Sequence, residues 1–321
     1  MQTYLKSKPV WVQLLLFVGL ATGLWLIISL MAMSFGAQAA GISLAELSNM
    51  YTWDSSNLSN KLLVIRCGLA AQFLGMFLLP SLLFAYFSDP QPRAYLGMRR
   101  PAHAAFWIIG SLLLLVALPL VEYTGLLNQQ LDMGPALNEW MRQREEEVSN
   151  VLKLAFVQKT TANLVANLVF IALFAGIGEE LFFRGIIQPI IIRGTRSAWA
   201  GIIITAFLFS FFHFQFLGFA PRLILGVLLG LTYWYSGSIW VSILAHFLYD
   251  ALLVTVLHYN PQYLTQTSGF LPSGLLPWLA LGSAAGVAAL VWWMKRNSAP
   301  HLHENITTTP ASTTSTKDFI A

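Results

Sequence analysis

The chain has 321 residues, of which 56% are hydrophobic and only 10% charged, with a formal net charge of +4. A soluble domain carries about 25% charged residues, so this chain cannot cover a water-facing surface, and its mean hydropathy of +0.64 points to a bilayer as solvent. A soluble enzyme, a nucleic-acid binder and a disordered scaffold are thereby excluded for the whole chain, and the single cysteine, Cys67, excludes a disulfide framework or a Cys-rich zinc module.

A membrane span needs about 20 apolar residues. That window gives about eight spans, near 10–34, 62–87, 104–122, 162–192, 198–216, 219–236, 238–257 and 275–294. The expected fold is all-α, a polytopic transmembrane helix bundle. Ala37-Gln38-Ala39 resembles a signal-peptidase site, but the apolar stretch before it exceeds the 7–15 residues of a signal core, so an uncleaved anchor is expected. Residues 1–133 then hold the N-terminal membrane helices.

The segment 134–158 differs in character. Pro135 suits a first helical turn, and Leu137, Trp140, Met141, Val148, Val151, Leu152 and Ala155 recur at helical spacing opposite Arg142, Glu145, Glu146 and Glu147. This reads as an interfacial amphipathic helix, either a solvated connector or a lid over a membrane cavity. Residues 159–257 follow as a compact core of antiparallel spans, the first of them too long for one upright crossing. Gly226/Gly230 and Gly282/Gly286 are small-xxx-small pairs that mark close helix packing. Residues 258–296 supply a loop and the last span. The tail 297–321 is polar and expected to be disordered, so His301 and His303 are not read as a ligand set.

Basic residues tend to stay cytoplasmic. Lys6 and Lys8, then Arg93, Arg99 and Arg100, then Arg193 and Arg196, then Lys295 and Arg296 all fall on one side of an eight-span chain. The expected location is an integral, multi-pass protein of a prokaryotic cell membrane with both termini cytoplasmic.

Only three of the 14 acids lie well inside apolar spans: Glu179, Glu180 and Asp250. Arg184, His213 and His246 share those depths. Each ionisable group at mid-membrane costs roughly 2.5–3.5 kcal/mol on insertion scales, so the six are expected to face one another across a polar cavity. Glu180 and Arg184 are four apart on one helical face, as are His246 and Asp250. At 1.5 Å per residue, Glu179, His213 and Asp250 lie about 21, 23 and 18 Å from the basic side, near one level. Arg66 and Arg222, near span ends, read as snorkelling side chains.

Peptide hydrolysis needs a base for water, a proton donor for the leaving amine and donors for the oxyanion. Glu180 is expected to pair with Arg184, which leaves Glu179, about 100° around the helix, as the freer base. His213 can hold the same water, and His246 and Asp250 can stabilise the oxyanion or position the carbonyl. Glu, His, His and Asp also form a possible zinc ligand set. No H-E-x-x-H is present and Arg184 opposes a dication, so the expectation is no cofactor, with zinc as the alternative.

Glu179-Glu180-Leu181-Phe182-Phe183-Arg184 resembles the EExxxR motif of the CPBP intramembrane protease family, also called CAAX-processing type II or Abi proteases. Phe209 to His213 resembles its FxxxH motif, and His246 to Asp250 its HxxxN motif with Asp in place of the frequent Asn. The resemblance covers about 160–257. It implies a helical membrane bundle with a polar cavity, and hydrolysis of a peptide bond in a membrane-associated peptide or protein substrate. It also implies water activation by the first Glu and first His, in a family long described as metalloproteases. Eukaryotic members trim prenylated CAAX proteins, while some prokaryotic ones are linked to bacteriocin maturation or self-immunity. A transporter or a non-proteolytic immunity protein is the rival reading, without the internal repeat that transporters often show. The bilayer is the other expected partner; no nucleic acid is expected, and the sequence does not set the oligomeric state.

Overall fold

The computed structural model describes residues 4–264 and 271–298. The expected disordered tail, with His301 and His303, lies almost wholly outside them. Among the described residues every regular element is helical. The principal helices are α1 (Val10–Ala40), α2 (Leu58–Ser88), α3 (Ala105–Gln129), α4 (Pro135–Ala155), α5 (Thr161–Thr195), α6 (Ala198–Phe211), α7 (Phe216–Ser236), α8 (Ile239–Tyr259) and α9 (Leu276–Arg296).

Local sequence explains many of the boundaries. The Thr160 and Ser197 hydroxyls cap α5 and α6 by accepting from Asn163 N and Ala200 N, each at 3.2 Å. Pro135 opens α4. Gly237, at φ 65°, ends α7 in the left-handed conformation that other residues resist.

Seven of these helices are long and apolar enough to cross a membrane, and the protein is an integral, multi-pass membrane protein. The sequence reading expected eight spans. The fifth, 198–216, is instead the 14-residue helix α6, about 21 Å long against a hydrocarbon core of about 30 Å. The chain reverses at Phe212–Gln215, and α7 runs back against α6.

Exposed aromatic rings mark both ends of the bundle. Trp11, Tyr86, Trp199, Trp240 and Trp292 sit at one end, and Tyr51, Trp140, Tyr259 and Trp278 at the other, the pattern of residues at the two interfaces. Trp240 and Tyr259 on α8 are about 28 Å apart along the helix, close to the hydrocarbon thickness.

At the first end the basic clusters meet. Lys6 Nζ lies 3.0 Å from Asp89 Oδ2, and Arg193 donates to Gln13 Oε1 at 3.3 Å and to the Tyr95 hydroxyl at 3.2 Å. Arg99 Nε donates to Gly237 O at 2.9 Å. Hydrocarbon provides no hydrophobic drive between helices, so association rests on close packing and hydrogen bonds. One core joins α1, α2 and α5 through Phe17, Phe84 and Phe182; a second joins α3, α7, α8 and α9 through Phe106, Leu228, Val241 and Met294. Only 11% of the apolar window of α1 is buried, against 44% for α8, which puts α1 at the lipid edge and α8 in the centre. Gly226 and Gly230 lie against Ala206 and Ile202 of α6, and Gly286 lies against Val116; Gly282, expected to pack with Gly286, faces open space.

Candidate active site

Helix α5 is not a uniform α-helix. Leu168–Leu173 and Glu180–Ile187 are π-helical, with i→i+5 bonding and wider turns of the kind that recur at functional sites. Wider turns hold more residues per unit length, which helps 35 residues fit one span. Just before the second π segment, Gly176 meets α8: a Cβ there would lie 3.1 Å from the Phe247 backbone nitrogen. That contact brings Glu180 beside His246.

Glu180 is fully buried, and its Oε1 accepts from two donors: Arg184 at 2.7 Å and His246 Nδ1 at 2.9 Å. Arg184, also fully buried, donates from its other terminal nitrogen to Gly226 O of α7 at 3.0 Å. Its guanidinium lies 4.7 Å from the centre of the Phe209 ring on α6. Four helices thus converge on the Glu180–Arg184 pair. An ion pair this deep is costly unless its remaining groups are also bonded, and Glu180 Oε2 and Arg184 Nε have no hydrogen-bond partner.

The far side of His246 faces the other two carboxylates. Nε2 lies 3.4 Å from Asp250 Oδ2 and 3.9 Å from Glu179 Oε2. The first is longer than a good N–H···O bond and the second is not a bond. The Glu179 and Asp250 side chains retain 14% and 25% exposure, so both reach open space while Glu180 does not. The structure therefore brings five of the six sequence-selected residues into one cluster.

His213 approaches from another direction. It follows the end of α6, and its ring lies 5.0 Å from that of Phe209, which in turn lies 6.1 Å from the His246 ring. Nδ1 donates to Phe209 O at 2.7 Å. In the neutral imidazole this leaves Nε2 as an acceptor.

The turn carrying His213 is held by residues that the sequence reading missed. Phe214 has φ 53°, a conformation that a bulky residue adopts only when the surroundings impose it. Asn128 of α3 donates to Phe216 O and Leu217 O, both at 2.8 Å, and accepts from Ala220 N at 3.0 Å. Ser210 Oγ donates to Phe219 O at 2.7 Å. The only sequence signal was a lone Asn near a span end.

Helix α4 lies over this turn. Trp140 packs on Phe216 with ring centres 5.6 Å apart, and Glu145 accepts from Gln215 Nε2 at 3.0 Å. Glu145 was expected on the solvated face, yet its Oε2 is buried without a partner, while Val148, expected inward, is exposed. Arg222 explains the rotation. It donates to Gln215 O and attracts Glu145 electrostatically, so it is tied inward rather than snorkelling. Arg66, also expected to snorkel, donates to Asn163 Oδ1 at 2.6 Å. Burial pushes the Glu145 carboxyl above its usual value, against the opposing pull of Arg222 and Gln215.

The zinc alternative meets a poor donor set. Among the described residues no three His, Cys, Asp or Glu side chains converge as ligands. Glu180 Oε1 is already bonded to a guanidinium and an imidazole, and Arg184 would oppose a dication.

Residues 161–252 match the family model described as Type II CAAX prenyl endopeptidase Rce1-like. The matched stretch runs from the start of α5 to just past Asp250, and so contains all six polar residues. That stretch is similar to an Rce1-like domain. The Uncharacterized protein YpbD of Bacillus subtilis (strain 168) is 24% identical over 129 residues, 39% of this chain and 61% of that protein. The chain thus spans about three fifths of the length of that curated relative. No solved structure matches the chain significantly. The Rce1-like domain agrees with the CPBP resemblance drawn from the three motifs, and α1 to α4 and α9 lie outside it.

Proposed function

We propose that the protein is an intramembrane endopeptidase that hydrolyses a peptide bond of a membrane-associated peptide or protein with water activated by Glu179 and His213. The observation that carries this is the division of labour between adjacent carboxylates. Glu180 is buried and committed to Arg184 and His246, whereas Glu179 is partly exposed and beyond bonding distance of His246. The Rce1-like match supports protease chemistry at the level of the family.

In this reading a water held between Glu179 and His213 Nε2 gives its proton to Glu179 as its oxygen attacks the scissile carbonyl carbon. The carbonyl π electrons move to oxygen, where the imidazolium form of His246, its Nδ1–H held by Glu180, donates from Nε2 to the oxyanion. Glu180 and Arg184 fix the imidazole, and Asp250 bears on its Nε2. The oxyanion then collapses, the C–N bond breaks, and the abstracted proton passes to the leaving amine. The products are a carboxylic acid and an amine, and no cofactor takes part. Both termini face the cytoplasm of a prokaryotic cell, a reading supported by the meeting of the basic clusters at one end of the bundle.

Purified protein in detergent, incubated with a peptide library and with membrane-protein extracts, tests the proposal. Cleavage is expected to fall by about 10² or more in Glu179→Gln and His213→Ala, and to survive extended chelation. Near-normal turnover by well-folded Glu179→Gln refutes the assignment. Activity lost on chelation and restored by zinc replaces it with Lewis-acid chemistry.

A further inference from the structure

Glu179, Glu180, Arg184 and Asp250 are grouped around His246, whereas His213 stands apart from them. Its ring bonds back to Phe209 O within α6, and among the described residues no hydrogen bond or ion pair ties it to Glu179. Its place relative to Glu179 is therefore set by the reversal that follows α6. Asn128 and Ser210 hold that reversal on its far side, at Phe216, Leu217, Phe219 and Ala220. Arg222 holds it at Gln215, two positions after His213.

Arg222 reaches back from α7 to donate from Nη2 to Gln215 O, and its Nη1 lies 3.5 Å from Gln215 Oε1. Gly218 leaves the room for this: a Cβ there would lie 3.0 Å from Nη1 and 3.1 Å from Cζ. The Gln215 amide nitrogen meanwhile donates to Glu145 Oε1 of α4 at 3.0 Å. One residue of the reversal is thus clasped by α7 through its backbone and by α4 through its side chain. The guanidinium has no bonded counter-ion. Among the described residues Arg222 forms no contact ion pair, and its Nε is buried without a hydrogen-bond partner. Its field acts on His213 and Glu179 as well as on Glu145, and buried charges act on one another more strongly than charges in water.

We propose that Arg222 is a positioning residue for the hydrolysis: through Gln215 it fixes the reversal so that His213 Nε2 faces the water held by Glu179, and it sets one cation within reach of both groups. This rests on the water activation by Glu179 and His213 proposed above. Glu145 clasps the same glutamine, so α4 belongs to the device that places His213.

The test uses the full chain in detergent and a quenched fluorescent peptide built on a sequence that wild type cleaves. Arg222→Gln should lower kcat about tenfold or more, because small misplacements of a catalytic group are costly, while KM stays within about threefold. Arg222→Lys, which keeps the charge and a donor for Gln215 O, should retain more activity. In a His213→Ala background, followed over long incubations, Arg222→Gln should cost less than about twofold further. An equal loss in both backgrounds, or a raised KM with kcat unchanged, overturns the proposal. Labelling with diethyl pyrocarbonate at about pH 8, where a free imidazole is neutral, tests the placement without activity. Read by mass spectrometry after digestion, His213 should react several-fold faster in Arg222→Gln, with His246 unchanged; an unaltered His213 rate overturns the proposal. A wild type that cleaves nothing defeats the proposed function, and the labelling then decides the placement, as it does where His213→Ala has no measurable rate. Should Arg222→Gln not fold, the same cycle and labelling on Arg222→Lys decide: an intermediate kcat loss that disappears without His213 upholds the proposal, and full retention with unaltered labelling overturns it.

Discussion

Replacing Arg184 by Met isolates what holds the Glu180 cluster together. The substitution keeps an unbranched apolar side chain in the site but removes the donor 2.7 Å from Glu180 Oε1, the donor 3.0 Å from Gly226 O, and the cation over Phe209. Both partners of the ion pair are fully buried, so neither water nor salt screens the carboxylate left behind. Breaking such a pair from one side costs about 3–5 kcal/mol. His246 Nδ1 still donates to the same oxygen, at 2.9 Å, which favours the lower end, about 3 kcal/mol, or roughly a hundredfold in the folding equilibrium. Adding Glu180→Gln removes the stranded charge while keeping an oxygen for His246. The double variant should therefore be more stable than the Arg184→Met single, with a coupling of about 2–3 kcal/mol. Unfolding titrations with SDS in mixed micelles measure all four corners of the cycle without reference to activity. Additive costs, agreeing within about 0.5 kcal/mol, refute the claim that the pair is a coupled, unscreened unit.

Asp250→Asn keeps an oxygen for His246 Nε2, 3.4 Å away, so its kcat/KM should stay well above that of Asp250→Ala at matched folded protein; equal loss in both removes any bearing of Asp250 on His246. In a Cys67→Ala background, cysteines at Ser56 and Gln143 should react with an impermeant maleimide in intact cells, while one at Ser298 reacts only after permeabilisation; labelling of 298 alone reverses the orientation. Burial raises the Glu145 pKa above its unfolded value, so the folded state binds this proton more readily. Its contribution to α4 docking is fully present below the ordinary glutamate range and is lost as pH rises through the folded value. Wild type minus Glu145→Gln should show that decline in unfolding free energy against pH, and parallel profiles contradict it.

Sequence by itself determined the solvent, the helical class, the eight apolar segments and the six polar residues. Charge in hydrocarbon is costly enough that few residue types occur there without reason, so Glu179, Glu180, Arg184, His213, His246 and Asp250 stood out one by one. The four-residue spacings on α5 and α8 announced which side chains share a face, because that periodicity is a property of the local chain. What the spacing did not contain was the distribution of donors. His246 bonds Glu180, 66 positions away, and only the close approach of Gly176 to Phe247 makes that partner available. The length of α6 was hidden for the same reason. Phe211, Phe212, Phe214 and Phe216 prolong the apolar run past the end of the helix, and the reversal is fixed by Asn128, 88 residues from Phe216. Glu145 turned inward against its own helical pattern because Arg222 and Gln215 lie beneath it. Hydropathy records the solvent that each stretch prefers, one stretch at a time; which buried polar group satisfies which other is settled only when distant helices pack and each must find a partner inside the fold.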